Sequence, residues 1–210
     1  MSVLETGSIF SPKENKHCNY EIVDDPEYAQ KIDDTWQTHS LERVFELKKA
    51  STTLEDLKSA LTSENISDFH WCWNDIVNSQ NSEDYIQVTF YLTVNGIPEG
   101  ALHTYFPKET RLHKGKNLVY IDRIATAPWN RPHQTIKHFS GVGSILILFI
   151  CRYSRDKGCE GCIGLHSLPQ AEPFYDHLGM KNLGIDLAYE GLKYFELEKH
   201  QALSLIAEEL

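Results

Sequence analysis

Residues 117–151 read NLVYIDRIATAPWNRPHQTIKHFSGVGSILILFIC, and this stretch predicts a strand, an irregular connection and a buried helix in that order. LVYIDRIATAP is rich in β-branched and aromatic residues and ends at Pro128, where a strand ladder would lose a donor. WNRPHQTIKHFS shows neither period. GVGSILILFICRYSRDKG is apolar on nearly every side until Arg152 and stops at Gly158, as a buried helix does. The first turn of such a helix exposes main-chain N–H groups at its positive end, which suits phosphate oxygens. Gly141 and Gly143 would let a ligand approach the main chain, and Ser144 would add a hydroxyl donor. The same glycines equally serve a tight strand-to-helix connection. A dinucleotide fingerprint would need a third glycine where Leu146 stands, and no Gly-Lys-Ser/Thr follows, so neither common nucleotide motif is present.

Working outward, YIQVTFYLTVNGIPEGALHTYF places strand-forming residues on both sides of Asn95-Gly96, a hairpin signal. CIGLHSL predicts another strand, PQAEPFYDHLG a short helix stopped by Gly179, and LKYFELEKH at least one further strand. Upstream, Tyr28, Ile32, Trp36, Leu41, Val44, Phe45 and Leu47 recur at helical spacing after Pro26. TLEDLKSAL and the segment from Phe69 to Val77 predict two more helices. The expected fold class is α/β, in the α+β sense of a mixed sheet, with a largely helical N-terminal third. No linker is visible, so residues 1–210 are expected to form a single domain. Residues 1–84 would be mostly helical and would carry acceptor-side elements, and residues 85–210 would form the sheet and the ligand-binding core.

LVYIDRIATAP, then Arg131, then HFSGVGS opening a long helix, then GCIGLHSLPQAEPFYDHLGM, resembles the GNAT superfamily of acyl-CoA-dependent N-acyltransferases over roughly residues 85–195. Two motifs in order carry the resemblance. The first is the phosphate loop Q/R-x-x-G-x-G/A, and the second is A-x-x-F-Y-x-x-x-G at Ala171, Phe174, Tyr175 and Gly179. The resemblance implies an N-acetyltransferase that takes its acyl group from acetyl-CoA and gives it to a primary amine. It also implies that Ile124, Ala125 and Thr126 pair with the pantetheine arm and that the amides from Ser140 through Gly141, Val142, Gly143 and Ser144 hold the pyrophosphate. His138 stands at the loop head where the family has Arg or Gln. Arg131 matches the Arg that follows the preceding Pro and could swing back to a phosphate, with an insertion between the two. Leu168 replaces a frequent Asn.

Acyl transfer to an amine needs a neutral nucleophile and a proton for the departing thiolate. Asp122 is a candidate base, or a surface partner of Arg123 or Arg111. His166 is a second candidate, or a structural histidine. Tyr175, which the resemblance places near the thioester sulfur, is the candidate acid, or an aromatic packed with Phe174 against the sheet. The HWCWND segment and Trp129 could shape the acceptor pocket or belong to the core. A non-catalytic acyl-CoA-binding or regulatory module is the alternative, and an interaction protein with a purely structural Gly turn is a third reading.

With 30 Asp and Glu against 20 Lys and Arg, the formal charge of -10 speaks against nucleic acid as a partner and is compatible with a cationic acceptor. The apolar run 142–151 is about half the roughly 20 residues of a membrane span. The N-terminus shows no leader pattern, so the expected location is cytoplasmic. Five cysteines fit a reducing compartment, and the lone Cys159/Cys162 pair lacks two further zinc ligands. Edge pairing through the last strand would give a homodimer.

Overall fold

Asn95 and Gly96 take φ values of 52° and 73°, the left-handed pair that a tight hairpin turn requires. They join β3 (Ile86–Val94) to β4 (Ile97–Glu109). The computed structural model describes residues 2–64, 66–78, 84–131 and 134–208. Pro132 and His133, within the irregular connection read from the sequence, lie outside the described residues. Strands β1 (Val3–Ser11), β2 (Lys16–Val23), β5 (Asn117–Thr126), β6 (Ile163–Ser167), β7 (Lys181–Asp186) and β8 (Leu192–Leu197) complete an eight-stranded sheet in the order β1-β2-β3-β4-β5-β6-β8-β7. β5 and β6 are parallel, and β8 is antiparallel to both β6 and β7. The chain divides into two compact units interleaved in sequence.

The first unit takes in Met1–Gln80, Thr89–Ala101 and Ala125–Gly143. Its helices are α1 (Glu27–Ile32), a π turn at Asp33–Gln37, α2 (Thr38–Ala50), α3 (Leu54–Ser63) and α4 (Trp73–Asn78). The expected helices are there, but the β1–β2 hairpin ahead of them was not expected. Gly7 pairs with Tyr20 across that hairpin, and a Cβ at Gly7 would lie 2.5 Å from the Tyr20 hydroxyl. The missing side chain thus makes room for the ring. Asp33 accepts from the amides of Trp73 (2.7 Å) and Asn74 (2.8 Å), capping α4 from a distance. Tyr28, Ile32, Trp36, Trp73, Tyr91, Ala101, Ala125 and Ala127 form one buried cluster beneath.

The second unit comprises Asn81–Val88, Leu102–Ile124 and Ser144–Leu210. α5 (Val142–Asp156) begins in the first unit and runs into this one, which also holds α6 (Glu172–His177) and α7 (Lys199–Glu208). Gly158 and Gly179, at φ of 79° and 75°, end α5 and α6 as expected. Strand alternation and register give the sheet two unlike faces here. On one, Phe106 meets Tyr153 of α5 at 6.1 Å, and Phe195 meets Tyr175 of α6 at 5.8 Å. On the other, Tyr120 lies opposite Gly164, and His166 lies opposite Tyr194. Among the described residues, no helix is long and apolar enough to cross a membrane.

Gly164 sits between two of these side chains, and a Cβ there would lie 2.6 Å from the Tyr194 hydroxyl and 3.0 Å from Leu118 Cδ2. Gly164→Val is expected to destabilise the protein by about 1–3 kcal/mol through overpacking. Urea unfolding would show this as a lower midpoint at unchanged slope.

Candidate active site

β5 is held to β6 by three pairs, Val119↔Ile163, Tyr120↔Gly164 and Ile121↔Leu165. β5 continues to Thr126, whereas His166 and Ser167, the last residues of β6, pair with Tyr194 and Lys193 of β8. Among the described residues, the β5–β6 ladder ends at Ile121↔Leu165, and the β6-facing main chain of β5 beyond it has no partner on β6. Ala125 in this stretch is buried, and Ile124 and Thr126 are half-buried.

The connection from β5 to α5 is pinned by specific hydrogen bonds. The His138 amide donates to Trp129 O (3.4 Å), the Ser140 amide to Phe10 O of β1 (3.0 Å), and the Phe139 amide to Asn130 Oδ1 (2.8 Å). Gly141 follows at φ 86°, exposed, with nothing within 4 Å of the position its Cβ would take. The next amides are those of the first helical turn, which a helix leaves without internal acceptors. The geometry fits an anion at the main chain from Gly141 onward.

Behind this connection lies Glu99 of β4, which is 3% exposed. Its Oε2 accepts from Trp129 Nε1 (2.7 Å) and Asn130 Nδ2 (2.6 Å), and its carbonyl accepts from the Ala127 amide (2.9 Å). Burial raises its carboxyl to about 7, and the two donors only partly offset that rise. Glu99 was not picked out from the sequence. The available signal was a single acid in the otherwise uncharged run TVNGIPEGAL.

No family model matches the chain, and no curated protein matches it. Among solved structures, it is similar to an acetyltransferase of the GNAT family from Listeria monocytogenes, with a TM-score of 0.51 and 13% identity. That likeness covers 91% of this chain and 99% of the other. The chain has the GNAT fold. An uncharacterized protein from Bacillus halodurans is similar at a TM-score of 0.51 and 15% identity, over 99% of this chain and 97% of that one. PaiA N-acetyltransferase from Thermoplasma acidophilum, crystallised with coenzyme A, has a TM-score of 0.49 and 17% identity, over 85% and 98% of the two chains.

Within the GNAT fold, several expected site residues are differently engaged. Arg131 is buried in a two-pronged pair with Asp68, with Nη1 and Nη2 at 2.8 and 2.9 Å from its two carboxylate oxygens, and Nε reaches Thr126 O at 3.4 Å. The Ser140 amide is likewise spent on Phe10 O of β1, so the first amide of the connection left for an anion is that of Gly141. His138 at the loop head lies 3.1 Å from Lys13 Nζ and packs on Trp129. Burial, then Lys13, push its pKa down, so the ring is a neutral acceptor for the ammonium. Val142 is buried, and Gly143 and Ser144 are half-buried, at the start of α5.

In the second unit, Asp122 lies 3.2 Å from Arg123, and Arg111 pairs with Asp186 instead. Both His166 nitrogens are occupied, Nδ1 by the Tyr120 hydroxyl at 2.6 Å and Nε2 by Asp186 at 3.1 Å. Burial lowers the His166 pKa, while Arg111 and then His166 hold Asp186 near 2. Asp186 is therefore a carboxylate that accepts from Nε2–H, and Tyr120 donates to Nδ1. Tyr175 is 4% exposed, packed with Phe174 (5.3 Å) and Phe195, and burial raises its phenol pKa, so it keeps its proton at neutral pH.

Removing one member of a buried ion pair strands the other charge. Arg131→Met is expected to lower stability by about 3–5 kcal/mol in thermal unfolding. A role confined to phosphate binding would instead leave unfolding unchanged and weaken only the donor.

Proposed function

We propose that the protein is an acyl-CoA-dependent N-acyltransferase that passes an acetyl group from acetyl-CoA to a primary amine. The observation that carries this reading is the early end of the β5–β6 ladder, together with the pinned connection that delivers Gly141, at positive φ, to the start of α5. Main-chain groups of Ile124, Ala125 and Thr126 would pair with the amide-rich arm of the donor. The amides from Gly141 to Ser144 would hold its diphosphate at the positive end of α5, with the Lys13–His138 pair as the nearby source of charge.

An alkyl amine with a pKa near 10.4 costs about 4–5 kcal/mol to deprotonate at pH 7. Of the three groups that could take that proton, Glu99 suits the task best. Its proton affinity is set near 7 by burial, whereas Asp122 faces Arg123 and the His166 nitrogens are both engaged. Tyr175, neutral and proton-bearing, remains the donor to the departing thiolate. Main-chain N–H groups near Ala125 or Thr126 would steady the tetrahedral oxyanion. The alternative, a non-catalytic acyl-CoA-binding module, draws on the commitment of Arg131 to Asp68. It predicts donor binding without thioester cleavage across an amine panel.

Coenzyme A at a hundredfold its dissociation constant is expected to add about 2.7 kcal/mol of apparent stability in a thermal shift. No shift would overturn the donor reading. If Glu99 is the base, it works only when deprotonated, so kcat/KM should rise as pH climbs through about 7. Glu99→Gln should remove that rise and lower kcat by about a hundredfold or more; an unaltered pH profile would assign the proton to another group.

A further inference from the structure

Five of the chain's ten tyrosines, Tyr85, Tyr105, Tyr120, Tyr189 and Tyr194, gather on one face of the sheet in the second unit. The Tyr85 and Tyr105 rings are 4.9 Å apart, and those of Tyr105 and Tyr120 are 4.7 Å apart, each pair tilted by 34°. Tyr189 stacks on His166 at 3.8 Å. Tyr85, Tyr105 and Tyr189 remain half-buried, so the patch reaches solvent. Ring faces carry negative quadrupole charge and attract cations.

One cation is already there. Lys108 Nζ lies 5.7 Å from the Tyr105 centroid and 5.6 Å from that of Tyr120, over both rings. Among the described residues it has no carboxylate partner. Of the charged groups nearby, Arg111 pairs with Asp186, and Asp122 lies 3.2 Å from Arg123. Glu196 accepts from Thr110 Oγ1 (2.5 Å), the Arg111 amide (2.6 Å) and the Tyr194 hydroxyl (2.8 Å). The Lys108 ammonium thus rests over the two rings without an ion pair among the described residues, and it hangs on a flexible four-carbon stem. Asp122, two residues from Tyr120 along β5 and so on the same face of the strand, offers a partly exposed carboxylate.

We propose that the Tyr85–Tyr105–Tyr120 surface, with Asp122 at its side, binds a primary alkylammonium ion, and that Lys108 is its internal stand-in. Calling that ion the acyl acceptor rests on the acyltransferase reading; the binding itself does not. The ligand class is a flexible aliphatic amine, such as an alkyl diamine or a lysine side chain. Lys108 shows that an ammonium on an unbranched chain fits the rings. An incoming amine would displace it, leaving the charge balance of the face unchanged.

The test is calorimetric titration of the full chain, without acyl donor, with 1,5-diaminopentane and with the uncharged pentane-1,5-diol. The diamine is expected to bind and the diol not to. Lys108→Met should tighten the diamine about fivefold by vacating the rings, Tyr105→Leu should weaken it about tenfold, and Tyr105→Phe should retain it. Equal binding of diol and diamine, or a Lys108→Met protein of unaltered affinity, would overturn the proposal. Should Tyr105→Leu not fold, the Lys108→Met comparison still decides. A protein that binds the diamine but shows no thermal shift with coenzyme A loses the donor reading and keeps this site. The reverse result removes this site and keeps the donor.

Discussion

A carboxyl group cannot be buried without hydrogen-bond donors, and Glu99 obtains two of them from the chain that follows β5. Meeting that demand fixes Trp129 and Asn130 in place. Asn130 has a second polar end, its Oδ1, which accepts from the Phe139 amide and so sets the path of the connection two residues ahead of Gly141. The path of the connection toward α5 is thus tied, through Asn130, to one buried acid on β4. The same desolvation raises the proton affinity of Glu99, so one physical cause both shapes the entrance of the helix and prepares a group to exchange protons near neutral pH.

The second constraint comes from the main chain of β5. Strand backbone without ladder partners needs other donors and acceptors, and Ala125 is too buried for bulk water to meet that need freely. β6 does not meet it, because its described pairs with β5 end at Ile121↔Leu165. A ligand with its own amide groups, as the acyltransferase reading supplies, would complete the strand. The fold and the proposed chemistry meet at this unpaired stretch, and the anion-binding amides lie further along the same chain.

What could be read in the sequence was local. The Asn95-Gly96 turn, the long apolar helix and the glycines at 158 and 179 declare themselves through neighbours a few residues away. The features that escaped depend on distant partners. The β1 strand carries a glycine at position 7, which weakens its strand pattern, and only the Tyr20 ring across the register explains it. Arg131 looked available for phosphate because Asp68 stands 63 residues earlier in the chain. Glu99 looked like an ordinary strand residue because its donors come 30 and 31 residues later. Charges in particular defeat local reading, since a buried ion takes its role from whichever counter-group the fold delivers.

The net charge of -10 bears differently on the two proposed ligands. A diphosphate is repelled at long range, so its binding must come from short-range donors, and aimed amides at a helix end are such donors. An alkylammonium ion is drawn inward by the same field and then needs only a surface that distinguishes it from hydrated small cations. Aromatic faces do this, since they hold an organic cation by its charge and its methylene groups together, whereas sodium or potassium keeps its water. An acidic chain that concentrates half its tyrosines on one sheet face, and already rests a lysine there, has both the field and the surface that such a ligand requires.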